Sequence, residues 1–322
     1  MIGFLRTLAS LFSLLAFCGV ANAQDYPSRS VKIIVPFAAG GPADVYARVL
    51  AQHLSDALKQ SFVVEDRPGA GSIIGTDAVA KSPADGYTLL AMSNTHTTNE
   101  SLIPNKPFAL MRDFVAVTPI NSSDLVMVVH PSVPAKDLKE FIALAKAKPG
   151  QLNYASSGPG TPYHMAGELF KAMSGTDIVH VPHKGSGEAR NSVLGGHVEM
   201  MFDAFPTMAE NVKAGQVRAL ATSGAKRSAV LPDVPTVAEA GVPGYESTIW
   251  LGLMAPAGTP KPIIAKLNTT IAEIMRRPDI QKSWAAQGAE PLFMTPEEFD
   301  AFLRKDIDKW AYVVKISGAK AQ

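Results

Sequence analysis

The stretch from Val31 to Leu50, VKIIVPFAAGGPADVYARVL, indicates the class of fold to which the chain belongs. Val31, Ile33, Ile34 and Val35 form a short apolar, β-branched run bounded by Pro36, as a buried parallel strand would. Two glycines follow, and Pro42 then fits the first position of a helix. The helix is predicted to bury a stripe of residues at helical spacing. These residues are Val45, Val49, Leu50 and Leu54.

The turn between this strand and helix contains Gly40 and Gly41. Glycine lets backbone N–H groups turn outward, and a helix N-terminus adds about half a positive charge beside them. Such a corner can hold an anion, although many α/β proteins simply turn tightly on glycine. Neither the phosphate-loop spacing nor the dinucleotide-binding spacing is present. We expect Gly40→Val to abolish binding by crowding the anion.

The first 23 residues have the pattern of a cleavable signal peptide. Arg6 provides the positive region, Leu8 to Val20 the apolar region, and Ala21-Asn22-Ala23 the cleavage site, so the mature chain is expected to begin at Gln24. The apolar run is too short for a membrane anchor. A lipoprotein site at Cys18 is the alternative, but the bulky Phe17 precedes that cysteine.

Removing this segment leaves 299 of the 322 residues, a length typical of two domains. It also removes Cys18, the only cysteine, so disulfide and thiol chemistry are not expected in the mature chain. Of 30 basic residues only Arg6 is lost, leaving 29 basic against 29 acidic. This balance gives no indication of nucleic-acid binding or of direct membrane insertion.

The opening pattern occurs twice along the chain. Residues up to about 100 are predicted to form a βαβαβ unit whose third strand ends in a polar loop from Ser93 to Asn99. The second version begins with a strand from Gln151 to Ala155, turns through SSGPG, and continues into a helix capped by Thr161. Its predicted buried stripe comprises Met165, Leu169 and Met173.

Two apolar segments, LVMVV at Leu125–Val129 and TIWLGLM at Thr248–Met254, separate these units and are predicted to cross between two lobes. We therefore expect one domain from residues 24–124 and 250–322, and another from residues 125–249. The C-terminal helices are predicted to pack on the first lobe. Ligands bind at the carboxyl ends of strands in such sheets, so the two glycine turns should face one cleft.

Other chemistry is less well supported by the residue pattern. His180 and His183 lie on a strand and the following turn, which does not aim both rings at one metal ion, even with His164 nearby. No G-x-S-x-G elbow indicates a hydrolase. Asp203, at the end of a strand, could accept a hydrogen bond from a ligand or act as a cap, and Arg190 could be a second anion contact or a solvated charge.

The chain resembles the Bug family, the extracytoplasmic solute receptors of tripartite tricarboxylate transporters. The resemblance spans the whole mature chain, and the residues that carry it include PFAAGGPADVYAR, DRPGAGSIIGTDAVAKSPADGYTLL, NYASSGPGTPYHMAGELF, HVPHKGSGEA and LGGHVEMMFD. It implies a type II periplasmic-binding-protein fold, with two α/β lobes closing on a small organic carboxylate. It further implies a monomeric receptor in the periplasm that serves membrane components of the transporter, without catalysis, metal or cofactor.

The resemblance also implies a set of ligand-binding residues, held largely through backbone groups and ordered water. On one side these are Phe37, Ala38, Gly40, Gly41 and Asp44, and on the other Ser156, Ser157, Gly158, Gly160 and Thr161. Asn94, His96 and Asp203 match further cleft positions, and His183 replaces a tyrosine that is usual in the family. The helix that follows also departs from the family pattern, with Glu188, Ala189 and Arg190. These departures leave the cargo open among aliphatic dicarboxylates, amino acids and aromatic acids.

Two other functions remain open at this stage. The same closing receptor could act as a ligand sensor for a signalling partner, or the scaffold could be that of an exported hydrolase.

Overall fold

A computed structural model describes residues 26–321, so the predicted signal peptide, residues 1–23, lies outside the described residues. The strands are β1 Val31–Val35, β2 Phe62–Asp66, β3 Thr88–Ser93, β4 Phe114–Val129, β5 Asn153–Ser156, β6 Val179–Pro182, β7 Met200–Ala204, β8 Arg218–Thr222, β9 Thr248–Pro256 and β10 Ala289–Pro291. The helices are α1 Pro42–Leu58, α2 Ile73–Ala80, α3 Asn94–Leu102, α4 Leu110–Asp113, α5 Leu138–Ala147, α6 Pro162–Ser174, α7 Ser186–Leu194, α8 Phe205–Lys213, α9 Lys261–Met275, α10 Pro278–Ala285 and α11 Pro296–Ser317.

The long strand β4 joins two groups of strands. Its first part pairs antiparallel with β9 and β10, and beyond β9 the sheet continues through β3, β1 and β2. Its last part, Leu125–Val129, pairs with β7 and β8, and beyond β7 the sheet continues through β5 and β6. We call the β2-β1-β3-β9 side the first lobe and the β7-β5-β6 side the second lobe. The fold is the two-lobed α/β arrangement that the sequence predicts.

Each lobe has apolar layers on both faces of its strands. In the first lobe, Ile33 and Leu50 belong to one layer, while Ile34 and Met254 belong to the other. In the second lobe the layers are built from residues such as Phe170 on one face and Met201 on the other. Alternate residues of a strand face opposite sides, so strands covered by helices on both faces become continuously apolar.

Two local predictions are wrong. The segment expected as a polar loop after β3 is the helix α3, because the Ser93 side chain and the His96 ring cap its N-terminus reciprocally. In α1 the buried stripe is shifted by one position, with Tyr46 and Ala47 buried in place of Val45 and Val49. Leu50 and Leu54 are buried as predicted.

The second glycine unit follows its predicted pattern only in part. Met165 and Leu169 are buried, but Met173 is 38% exposed. The reason is length: α6 ends at Ser174, so Met173 lies in its last turn at the edge of the packed face.

The last helix, α11, packs on both lobes and not on the first alone. Phe299 and Leu303 lie in an apolar layer of the first lobe, whereas Trp310 and Val313 lie in a layer of the second. A helix of 22 residues is long enough to span both layers. The lobes are therefore joined by β4, β9 and this helix. Within residues 26–321, no helix combines the length and apolar character needed to cross a bilayer.

Candidate functional site

A cavity of about 480 Å³ lies between the two lobes. Seven of the predicted ligand-binding residues line it: Phe37, Ala38, Gly41, Ser157, Gly158, Thr161 and His183. Among the described residues no acidic side chain lines the cavity, and Lys184 is the only lysine or arginine that does. The wall is otherwise largely apolar, with proline, phenylalanine, isoleucine and leucine side chains. Such a wall favours an anion that also has an apolar part.

The first glycine corner, residues 36–44, is held by a carboxylate. Gly40 has a φ of +77°, and its N–H donates to Oδ2 of Asp44 over 2.8 Å. Asp44 in turn pairs with Arg48 one turn along α1. Neither Gly40 nor Asp44 lines the cavity, so in this structure Asp44 orders the loop. A Cβ added to Gly40 meets no protein atom within 4 Å, so Gly40→Val does not clash with the protein at this atom, and crowding of an anion stays a prediction.

The second glycine corner, residues 156–164, is held by an imidazole. Gly160 has a φ of +74°, and its N–H donates to Nδ1 of His164 over 3.1 Å. Thr161 caps α6 and its hydroxyl donates to the carbonyl of Gly158 over 2.7 Å. As in the first corner, the positive-φ glycine directly before the N-cap residue lies outside the cavity lining, while the N-cap residue lies in it. Gly158, which is also at positive φ, lines the cavity.

A third helix N-terminus faces the same cavity. The helix α7 begins at Ser186, two residues before the predicted start, and its first turn follows Gly185, which offers no side-chain cap. His183, Lys184, Gly185 and Ser186 all line the cavity. Three helices therefore direct their positive ends at one volume, an arrangement that attracts an anion.

Glycines allow the lobes to approach closely around the cavity. A Cβ on Gly185 would lie 3.0 Å from the Cβ of Ala38, and one on Gly41 would lie 3.5 Å from Oγ of Ser186. A Cβ on Gly160 would lie only 2.6 Å from Oδ1 of Asn99. Each of these pairs joins one lobe to the other. The lobes can therefore approach this closely only because glycine, which has no side chain, occupies these positions.

An aromatic stack supports the second corner from below. The rings of His164 and His180 are 4.1 Å apart, and Tyr154 stacks on the other side of His180 at 4.9 Å. Burial lowers the pKa of His164 to about 4 and that of His180 to about 3, with each lowered further by nearby positive charge. Both rings are therefore neutral at neutral pH. His180 is a packed strand residue, as the sequence predicts.

The predicted residue Ser156 also supports the corner from outside the cavity lining. Its Oγ lies 2.6 Å from Nε2 of His180 and accepts from the N–H of Gly158 over 3.1 Å. A serine beside a histidine is the start of a nucleophilic pair, but Ser156 is fully buried and does not line the cavity. Its hydroxyl holds the turn that presents Gly158.

Asn94 and His96 lie under the cavity in α3 and do not line it. The Nδ2 of Asn94 donates to the Thr248 carbonyl over 3.0 Å, which ties α3 to β9. The Nδ1 of His96 accepts from the Ser93 N–H, and its Nε2 lies 3.0 Å from the Thr76 hydroxyl. Burial lowers the pKa of His96 to about 4. Both side chains fix the segment that carries Thr95, which does line the cavity.

Asp203 is fully buried behind the cavity and does not line it. Its Oδ2 accepts from Nε of Arg190 over 2.7 Å, and its Oδ1 accepts from the Ala204 N–H over 2.9 Å. Burial raises the pKa of Asp203, and the Arg190 guanidinium opposes that shift. This ion pair explains both residues without a ligand contact.

The sequence reasoning missed part of the cavity wall. Residues 68–72 line it with four successive residues at positive φ, from Gly69 to Ser72. The proline and glycines of this segment predict a turn before α2. The positive φ of Ala70 and Ser72, and the place of the turn in the cavity wall, are not marked in the sequence. The start of α7 could have been found, because Gly185 before a polar helical turn is itself a pattern of helix N-termini. Within the described range no three His, Cys, Asp or Glu side chains are grouped to hold a metal ion.

Comparisons with known proteins give a consistent result. The model of the tripartite tricarboxylate transporter family receptor matches residues 46–318. The chain is 41% identical over 320 residues to Protein BugT of Bordetella pertussis (strain Tohama I), covering 98% of each chain. Rpa4515 of R. palustris, solved with adipate, superposes with a TM-score of 0.88 at 36% identity, covering 92% of this chain and 99% of that one. The periplasmic binding protein BugD superposes with a TM-score of 0.87 at 33% identity, covering 92% of this chain and 100% of that one.

Proposed function

The chain belongs to the receptor family of tripartite tricarboxylate transporters, and from that premise we propose that it captures a small organic carboxylate between its lobes and delivers it to the membrane components of such a transporter. The observation that supports this most directly is the composition of the cavity. Three helix N-termini and one lysine face a volume from which acidic side chains are absent among the described residues. A carboxylate is the anion that suits this wall and the family.

We further propose that the protein acts without catalysis, as a monomer in the periplasm after removal of residues 1–23. Relatives of known structure in this family include a periplasmic binding protein and a protein solved with adipate. The serine nearest to a histidine is buried away from the cavity, which supports binding over hydrolysis. Recovery of a bound carboxylate unchanged after prolonged incubation would test this part.

The ligand class is tested by thermal shift of the mature protein. A ligand at 100 times its dissociation constant stabilises the protein by about 2.7 kcal/mol, which is measurable as a rise in Tm. We expect at least one carboxylate from a panel that includes adipate, amino acids and aromatic acids to raise the Tm. A panel in which sugars or cations raise the Tm and no carboxylate does would contradict the proposal.

The site is tested by a matched pair of alanine substitutions at the start of α7, one at its N-cap residue Gly185 and one at Gly187 in its first turn. Gly185→Ala places a methyl group 3.0 Å from Ala38 of the other lobe, whereas Gly187→Ala meets nothing within 4 Å. We expect Gly185→Ala to weaken binding of the best carboxylate about fivefold or more in calorimetric titration, since an added methyl in a packed contact costs about 1 kcal/mol or more. Gly187→Ala should bind as the parent protein does. Equal affinities for the two variants would mean that the ligand is not enclosed at this seam.

A further inference from the structure

Polar side chains from the first two turns of three helices lie in or directly next to the cavity wall. Tyr46 follows the lining residues Pro42 and Ala43 on α1, and Arg190 follows Ser186 on α7. Tyr163, in the first turn of α6, itself lines the cavity. Residues three or four apart share a helix face, so the convergence of the helix ends also brings these side chains toward the same place.

These three residues share a property that bears on what they bind. The Oη of Tyr46, the Oη of Tyr163 and the Nη2 of Arg190 are all buried, and none has a hydrogen-bond partner among the described residues. Buried polar atoms in native proteins nearly always have a partner, and an exception requires an explanation. All three atoms carry hydrogens to donate, so what they need in common is an acceptor.

The neighbouring carboxylate does not supply that acceptor. Asp203 already accepts from Arg190 Nε, from the Ala204 N–H and from the Thr207 hydroxyl at 3.2 Å. The groups are nonetheless close enough to influence one another. Burial raises the pKa of Tyr163, Asp203 and Tyr46 raise it further, and Arg190 lowers it.

The cluster joins the two lobes. Tyr46 belongs to the first lobe, where its ring packs edge-on against Trp284 at 5.3 Å. Tyr163, Arg190 and the neighbouring Asp203 belong to the second lobe. The close approach of Gly41 to Ser186 brings the ends of α1 and α7 together just above it. The charges of Arg190 and Asp203 cancel, so the missing acceptor is better a neutral oxygen than an anion.

We propose that Tyr46, Tyr163 and Arg190 bind one ordered water between the lobes when the cleft is closed, and that this water fastens the closed form. Tyr46 and Arg190 do not line the cavity, so they act on capture as positioning residues and not through contact with the cargo. Tyr163 does line it, so the loss of affinity in Tyr46→Phe is the one that isolates the water. The proposal rests on the proposed function to the extent that closure accompanies capture of a carboxylate.

The test is a double-mutant cycle that removes one hydroxyl at a time. Tyr46→Phe and Tyr163→Phe are made singly and together, and affinity is measured for adipate or, if adipate does not bind, for the carboxylate with the largest thermal shift. Each single variant should bind about three- to tenfold more weakly, as expected for the loss of one buried hydrogen bond. The double variant should bind no more than about twofold more weakly than the worse single variant, because the same water is lost in both.

The matched control is Tyr26→Phe. Tyr26 is also a buried phenol of the first lobe, but its hydroxyl donates to the Gly86 carbonyl over 2.7 Å. Its replacement should leave affinity unchanged, although it can lower the Tm. Unchanged or tighter binding by Tyr46→Phe would overturn the proposal, since removal of a phenol that stays unpaired in the closed form favours closure. Multiplicative effects in the double variant would also overturn it.

A crystal structure of the closed protein gives a readout that does not depend on affinity. We expect one water oxygen within about 3.2 Å of the two phenol oxygens and the guanidinium nitrogen. A closed structure without that water would overturn the proposal. If the parent protein bound no carboxylate at all, the proposed function would fail. The crystal structure of the closed protein would still show whether the water is present.

Discussion

The two glycine corners enter their helices with the same backbone but are held by different chemistry. In each, a glycine at positive φ precedes a capping residue and a proline, and its N–H donates to the side chain four residues later. That side chain is Asp44 in the first corner and His164 in the second. The first is joined to a partly exposed arginine, and the second is packed in an aromatic stack. One geometry can therefore be fixed either by charge or by packing.

The difference predicts that the two corners respond to different conditions. The Nδ1 of His164 must stay unprotonated to accept from Gly160, so protonation removes the bond that holds the second corner. The carboxylate of the first corner has two equivalent oxygens, either of which can accept the Gly40 N–H. The stability of the first corner should depend on ionic strength, and that of the second corner on pH.

The largest expected effect is loss of stability in mild acid. The pKa of His96 and of His164 is about 4 in the folded protein against 6.5 in model peptides, so the unfolded chain binds more protons between these values. The free energy of unfolding should fall as the pH is lowered from about 6.5 to about 4, by about 2 to 3 kcal/mol for each site. Urea denaturation at pH 7.5, 6, 5 and 4.5 would measure this.

One variant of the second corner and one control variant test this assignment. His164→Gln should reduce the loss of stability between about pH 6.5 and 4 by the share of one site, while the share of His96 remains. His197→Gln replaces an exposed histidine and should leave the pH dependence unchanged. A parent protein whose stability is constant over this range would contradict the placement of the neutral rings.

The next effect compares truncation of the two holding side chains. His164→Ala removes the acceptor of Gly160 and also leaves a gap beside His180, so we expect a loss of about 3 kcal/mol. Asp44→Ala removes only the acceptor of Gly40 and one partner of Arg48, so the loss should be about 1 to 2 kcal/mol. Chemical denaturation at pH 7.5 would measure both. Asp44→Asn, which keeps an oxygen acceptor, should cost less than Asp44→Ala; equal losses at the two corners would remove the distinction drawn here.

The strand and helix pattern could be read from the sequence because burial on both faces leaves apolar runs, as in β1 and in the last part of β4. The positions of the buried stripes and the ends of the helices and strands were harder to predict from the sequence. The stripe of α1 is shifted because Tyr46 is buried against Trp284, a residue more than two hundred positions away. The residues from Ser93 to Asn99 have the letters of a loop but form α3, because His96 replaces the usual glutamate in the capping box.

The site was located by its glycines but not in detail. The pattern identified the two corners, and seven of the predicted residues line the cavity. It did not distinguish residues that face the cavity from those that hold the loops, such as Asp44 and Ser156. That distinction depends on long-range contacts, for example between Ser156 and His180 on neighbouring strands. The pairing of Arg190 with Asp203 likewise joins a helix to a strand and leaves no local pattern.

A smaller difference in stability is expected between alanine substitutions of Gly40 and Gly160, the positive-φ glycines directly before the two N-cap residues. Both positions impose backbone strain on alanine, worth about 1 kcal/mol. At Gly160 the new Cβ also lies 2.6 Å from Oδ1 of Asn99 and 3.0 Å from a methyl of Leu102, whereas at Gly40 it meets nothing. Gly160→Ala should therefore cost about 2 kcal/mol and weaken ligand binding, and Gly40→Ala about 1 kcal/mol, measured by denaturation and titration. Equal losses would mean that the lobes stand farther apart at Asn99 in solution.

The smallest effect concerns the charge at the first corner. Arg48 bridges Asp44 and Asp66, with Nη2 2.7 Å from the Asp66 Oδ2, but its side chain is 53% exposed. Exposed ion pairs contribute about 0 to 1 kcal/mol, so Arg48→Met should lower stability by no more than about 1 kcal/mol at low ionic strength. Salt screens exposed charges, and the difference from the parent protein should shrink in about 0.5 M NaCl. Arg29→Met, which removes an exposed pair with Asp85 remote from the cavity, is the control and should change stability still less. Arg48→Met could instead cost as much stability as His164→Ala, with a loss that does not change with salt. Packing of the arginine stem, and not its charge, would then hold the first corner. Both corners would in that case be held by packing.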